Sequence, residues 1–235
     1  MTTRSQISLA LVCTLCALPA SATAEPYWIA YEGNDFPENE GWTRVYGDGH
    51  WPPQDEPDRW IENGELVIDT LRDDQLWEYY ERLLLDPADG EVFVAEWRFR
   101  SELLYGTRDN GVVIARQGVP GFAGFQVTAN GVLVRVDDVT LPVDPSVYHE
   151  YQFQSADMVA YDLFIDGEHA YAGMFETDTF LQGFIAFGAG TQGASSVSHW
   201  DHFRFGVVPE PATGILILAT GVNVIKRIRR REISR

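Results

Sequence analysis

From Glu91 onward apolar and polar side chains alternate, and a period of two is the signature of extended strands with one face buried. In "EVFVAEWRFRS", Val92, Val94, Glu96, Arg98 and Arg100 fall on one face, and Phe93, Ala95, Trp97 and Phe99 on the other. "NGVVIARQ", "GFQVTANGVLVRVDD", "YHEYQFQ", "AYDLFIDGEHAYAGMF", "FIAFGAG" and "SHWDHFRFG" follow. Asn130-Gly131 and Asp166-Gly167 sit between apolar-rich runs, where tight hairpins need residues that tolerate positive φ. Strands recur about every ten residues with no long helical period, the pattern of an all-β sandwich of two antiparallel sheets. Leu76 to Leu85 is compatible with a helix. The following Asp86-Pro87-Ala88-Asp89-Gly90 suits a hairpin loop, so Trp77–Leu85 is read as a strand. No composition break or repeat interrupts residues 27–206, which points to one domain over 25–206.

Both ends differ from this body. "MTTRSQISLALVCTLCALPASATA" carries Arg4, an apolar core from Ile7 to Leu18 and small residues at Ala22-Thr23-Ala24. That three-part order describes a helical secretory signal peptide over 1–24, cleaved after Ala24. Both cysteines, Cys13 and Cys16, lie within it. The body therefore has no disulfide and must be held by its core or by a bound metal. At the other end Ala212–Ile225 is apolar and helix-compatible, though short for a bilayer span. Pro209 and Pro211 stop a helix from extending backwards. Lys226, Arg227, Arg229, Arg230 and Arg231 follow, as expected of a cytoplasmic flank. An exported chain with transient inner-membrane insertion through its C-terminus is the expectation.

Charge narrows the partners. The chain carries 17 Lys+Arg against 35 Asp+Glu. Arg4 and the six basic residues of 212–235 account for seven of those cations, and Glu232 for one of the acids. Residues 25–211 thus keep 10 Arg against 34 acids, a net −24, with no lysine. Such a body repels nucleic acid and anionic membrane and favours cations.

"VPEPAT" (Val208 to Thr213), the apolar run and "RIRRR" resemble the PEP-CTERM sorting signal of Gram-negative bacteria. The resemblance implies a sorting tail over 207–235, with Val208, Pro209, Glu210 and Pro211 as the recognition and cleavage motif. It implies processing by an exosortase, a membrane-embedded cysteine transpeptidase. It also implies residence at the cell surface, the outer membrane or in the extracellular matrix, with extracellular polysaccharide as a partner. The body resembles the concanavalin A-like lectin/glucanase superfamily, laminin-G-like domains in particular. "RWIENGELVIDT", "FVAEWRFR", "YHEYQFQ" with "YDLFIDGEHAYAG", and the closing "VSHWDHFRF" carry the likeness. It implies a jelly roll whose last strand, carrying Asp201, pairs beside the first, and it implies binding as readily as catalysis.

The glucanase branch carries E-x-D-x-x-E or E-x-D-x-E on one strand, so that alternation aims two carboxylates into the cleft. "AEWRFRS" instead places Arg98 and Arg100 after Glu96. No HExxH, G-x-S-x-G or P-loop occurs. His199 and His202, flanking Asp201, read as structural. A non-enzyme is expected. Residues 27–80 are rich in rings, which stack on sugar faces. Trp51, Tyr46 and Trp77 are the candidate platform; Trp42 and Trp60 are assigned to the core. A structural calcium is the one candidate cofactor, with Glu32, Asp35 and Asp201 as oxygen ligands between the first and last strands. The expected function is a non-catalytic, glycan-binding surface or matrix module. The alternatives are a purely structural protein without a sugar site and a divergent glycan hydrolase or lyase.

Overall fold

The computed structural model describes residues 27–48, 55–71, 76–84, 86–105, 109–116, 121–176, 183–189 and 195–209. The expected signal peptide, the apolar tail, Trp51, Glu210 and Pro211 lie outside the described residues. Among those described, no helix is long and apolar enough to cross a membrane.

Two antiparallel sheets form a sandwich. The first sheet runs β13 (Glu168–Met174), β12 (Ala160–Ile165), β11 (His149–Ser155), β6 (Glu91–Tyr105), β15 (Ser195–Pro209), β4 (Glu65–Asp69) and β3 (Asp58–Glu62), with β1 (Tyr27–Tyr31) also pairing β15. The second runs β10 (Val139–Leu141), β9 (Gly131–Val134), β8 (Phe122–Thr128), β7 (Asp109–Ala115), β14 (Phe184–Ala189), β5 (Trp77–Leu83) and β2 (Thr43–Gly47). The first strand does pair beside the last, from Tyr27↔Val207 to Tyr31↔Phe203.

Alternation assigns the core as the sequence pattern implies. Phe93, Ala95, Trp97 and Phe99 of β6 are buried, while Glu96, Arg98 and Arg100 face outward. Rings from both sheets interdigitate: Phe187 of β14 stacks on Phe203 of β15 at 4.7 Å, and Trp97 of β6 meets Phe125 of β8 at 6.0 Å. Each such pair contributes about 0.5–1.5 kcal/mol beyond its buried area. Asp166 and Gly167 adopt φ of 53° and 79° in the two-residue turn between β12 and β13. Asn63-Gly64 closes the β3–β4 hairpin with the same chemistry, at 55° and 83°. A register shift between Trp200 and His202 inserts Asp201 as an extra residue. Trp200 and Phe203 both stay buried, and Asp201 and His202 are left on the outer side.

Three expectations change. Asp86–Gly90 is not a hairpin loop, because β5 belongs to the second sheet and β6 to the first, so the segment crosses between sheets. Trp42 is buried, but Trp60 is 38% exposed, its indole N–H directed to Glu62 Oε2 at 3.2 Å. β15 continues to Pro209, with Val208↔Val92 and Pro209↔Glu91, so the strand runs past residue 206 and includes Val208 and Pro209.

Candidate functional site

An open groove of about 550 Å³ lies on the outer face of the second sheet. Cross-strand register builds its floor. Tyr79 lies level with Gly188, Gly111 and Gln126; Glu81 lies level with Ala186, Val113 and Gly124. Glycine and alanine at most of these positions leave a low floor between taller walls. Trp77 and Tyr79 form one wall, two residues apart on β5, with ring centroids 6.3 Å apart. Gly47 of β2 seats the indole: a Cβ there would fall 2.6 Å from Trp77 Cε2 and Cζ2. Phe122, Phe184, Arg135 and Glu176 form the opposite end. Arg135 lies over the Phe122 ring at 5.2 Å, and both crowd over Gly124.

Of the expected platform, Trp77 stands in this groove. Tyr46 does not share its face. It pairs with Glu78, one step out of phase with Trp77, and Arg44 lies over its ring at 4.4 Å. Alternation alone separates the two side chains. Trp51 lies outside the described residues. Phe122, Phe184, Glu81, Arg135 and Glu176 were not singled out by the sequence, because only the order β5–β14–β7–β8 brings them together. The available signal was small residues at the groove-facing positions, Gly124 in "GFAGFQV" and Ala186 and Gly188 in "FIAFGAG".

The reverse side of β5 anchors the wall. The Glu78 side chain is fully buried and meets Arg44 Nη2 at 2.5 Å and Arg59 Nε at 3.7 Å. The Tyr80 hydroxyl donates to Glu78 and accepts from Arg59 Nη1 at 2.8 Å. Burial, reinforced by the Glu78 charge, pushes the Tyr80 phenol far up, so it remains a neutral donor. Arg44 belongs to β2 and Arg59 to β3, so this cluster ties the two sheets together behind Trp77 and Tyr79.

The carboxylates proposed for a metal do not converge as side chains. Asp35 Oδ1 accepts from Asn39 Nδ2 at 2.9 Å and from the Phe36 N–H at 2.7 Å, which holds its carboxyl below the usual range. Asp201 Oδ2 meets Arg98 Nη1 at 2.6 Å, and Glu32 is exposed. Among the described residues no three His, Cys, Asp or Glu side chains gather as a metal group. Gly33 has φ +76°, and a Cβ there would fall 2.2 Å from the Asp201 carbonyl oxygen and 2.3 Å from that of Gly64, so both carbonyls pack against the Gly33 Cα and only glycine fits. Burial pushes the Tyr31 phenol upward, and the charges of Glu40, Asp35, Glu38 and Asp201 add to this. The end of β1 is therefore an electronegative region.

The catalytic arrangement of the glucanases is testable by position. Groove-facing positions are Thr43, Val45 and Gly47 on β2; Trp77, Tyr79 and Glu81 on β5; Phe184, Ala186 and Gly188 on β14. They continue with Gly111, Val113 and Ala115 on β7, and Phe122, Gly124 and Gln126 on β8. No one of these five sets carries two carboxylates. Glu176 bridges Phe122 on the far side of β8, four strand steps from Glu81. At about 4.8 Å per step the two backbones stand about 19 Å apart.

No family model matches the chain, and no curated protein does. Solved structures do share the fold. A conserved carbohydrate esterase from the Shiga toxin-encoding bacteriophage phi24B aligns at 13% identity and TM-score 0.56, over 77% of this chain and 97% of that one. A GlcNAcα1-4Gal-releasing endo-β-galactosidase from Clostridium perfringens aligns at 14% identity and TM-score 0.51, over 78% of this chain and 63% of that one.

Proposed function

We propose that the protein is an exported, non-catalytic β-sandwich that binds a glycan chain in the groove of the second sheet. One observation carries the reading: Trp77 and Tyr79 stand side by side over a floor of Gly111, Gly124, Ala186 and Gly188, with polar groups at the margins. Flat rings offer apolar faces to sugar rings, and carboxylate and guanidinium groups fix hydroxyls. That none of the five groove-facing strand sets carries two carboxylates supports binding without hydrolysis. The two solved structures described above are named for enzymes acting on carbohydrates, which favours a glycan ligand and keeps a hydrolase as the second reading. A glycan-array screen of the full-length protein, followed by a reducing-end assay on each hit, tests both. Binding without release of reducing ends is expected. Turnover of a bound glycan would favour the second reading, and no glycan binding would leave a purely structural protein.

Two further parts belong to this proposal. The tail is an exosortase sorting signal acting at Val208-Pro209-Glu210-Pro211, and mature protein in the native host lacks the basic cluster. Intact-mass measurement checks this; material retaining Arg230 would refute it. A structural calcium at the end of β1 takes the carboxylates of Glu32, Asp35 and Asp201, of which Asp35 and Asp201 turn from Asn39 and Arg98 to reach it. It would link the first and last strands by charge, in a body whose net −24 repels itself.

A further inference from the structure

The charges in the groove select among glycans. Six of the described arginines, Arg44, Arg59, Arg98, Arg100, Arg116 and Arg204, are held in ion pairs away from the groove, with Glu78, Glu38, Asp201, Glu102, Asp86 and Glu96. Glu81 and Glu176 line the groove and, among the described residues, make no ion pair. Arg135, the one cation among the described residues that line it, has its guanidinium over the Phe122 ring. Among the described residues, two carboxylates without an ion pair against one stacked guanidinium leave the groove net negative, inside a body of net −24. Their backbones stand about 19 Å apart across the sheet, so the two carboxylates address different units of an extended ligand.

We propose that the groove takes an amino-sugar polymer with free, protonated amines, a partly or fully N-deacetylated chain, in preference to a neutral or uronate-bearing one. This rests on the groove being the glycan site. Rings of the chain stack along Trp77 and Tyr79. An ammonium near Glu81 and another toward Glu176 then complete the pairs that the fold leaves open. A uronate or sulfate chain meets two free carboxylates and the field of the whole body, so it is excluded. A neutral chain keeps the stacking and loses the charge pairs. An exposed ion pair contributes at most about 1 kcal/mol, which is roughly fivefold in affinity per pair. The preference shrinks as salt is raised, because these pairs lie within reach of screening.

The test compares two hexamers of one backbone with an acidic oligomer of another. Full-length protein is titrated calorimetrically at mildly acidic pH and low salt with a glucosamine hexamer, its N-acetylated counterpart and a galacturonate oligomer. The glucosamine hexamer is expected to bind at least fivefold tighter than the acetylated chain, and the galacturonate not to bind. Glu81→Gln and Glu176→Gln together are expected to erase the preference, bringing the affinity for the glucosamine hexamer down to that for the acetylated chain. Equal affinity of the two hexamers overturns the inference but leaves the groove as a neutral-glycan site. A preference that survives both substitutions also overturns it, and assigns the effect to the body's overall field. Binding of either hexamer that ignores Trp77→Ala overturns the glycan reading of the groove itself.

Discussion

The buried carboxylate behind the groove wall makes the sharpest stability prediction. Glu78 has no exposed side-chain surface, and Arg44 and Arg59 keep only 16% and 17% of theirs. Replacing Glu78 by Gln preserves shape and removes the charge that two buried guanidinium groups face. Removing one partner of a buried ion pair costs about 3–5 kcal/mol. The low end applies here, because Arg44 keeps Glu56 at 2.7 Å and Arg59 keeps Glu38 at 2.6 Å. For a body of this size each kcal/mol moves Tm by about 2–4 °C, so Glu78→Gln is expected to lower Tm by about 6–12 °C. Urea unfolding at neutral pH should show the same loss with an unchanged m-value. Because Trp77 and Tyr79 flank Glu78 on β5, glycan affinity should fall as well. Replacing Glu78 and Arg44 together with Met should recover part of the loss, since no unpaired charge of that pair remains. A cost below about 1 kcal/mol for Glu78→Gln, the value of an exposed pair, would refute the reasoning.

Two other predictions concern ions and pH. Calcium at millimolar concentration is expected to raise Tm more than sodium at equal ionic strength, by up to about 2.7 kcal/mol of stability at a hundredfold excess over Kd. Asp201→Asn should abolish or reduce the calcium-specific part; equal shifts with both salts would remove the proposed site. His199 has a depressed pKa, chiefly from burial and secondly from the Arg100 charge, against the opposing pull of Glu65 and Glu62. The unfolded chain then takes up a proton near pH ~6.5 before the folded one does, so this stabilisation is present above that pH and lost as pH falls through the depressed value. Stability measured by urea titration should fall from pH 7 to pH 5 and fall less in His199→Gln; the opposite slope difference would contradict this.

Face assignment within a strand was legible in the sequence, and placement between strands was not. Phe93, Ala95, Trp97 and Phe99 lie in the core as their alternation indicates, and Trp77–Leu85 is a strand, ending at Leu83. Asp166-Gly167 forms the turn its residue types favour. Period-two reasoning cannot place strands side by side, however, so the groove formed by β5, β14, β7 and β8 had no local signature beyond its small residues. Tyr46 was grouped with Trp77 by composition, and one step of register sets them on opposite faces. The bulge at Asp201 breaks the period at the position where a ligand was sought, and turns its side chain to Arg98. Asp86–Gly90 has the residues of a hairpin turn, but which sheet receives the next strand is a global outcome.

The central claim is that the Trp77–Tyr79 face of the second sheet holds the glycan. Calorimetric titration of the best array ligand into wild-type protein, Trp77→Ala, Tyr79→Ala and Tyr46→Ala tests it most directly. Loss of a stacked ring removes roughly 1–3 kcal/mol of apolar burial, so the first two substitutions are expected to weaken binding by about tenfold or more. Tyr46→Ala, on the other face, is expected to leave affinity within twofold. Unchanged affinity in Trp77→Ala and Tyr79→Ala, or a loss confined to Tyr46→Ala, would contradict the account.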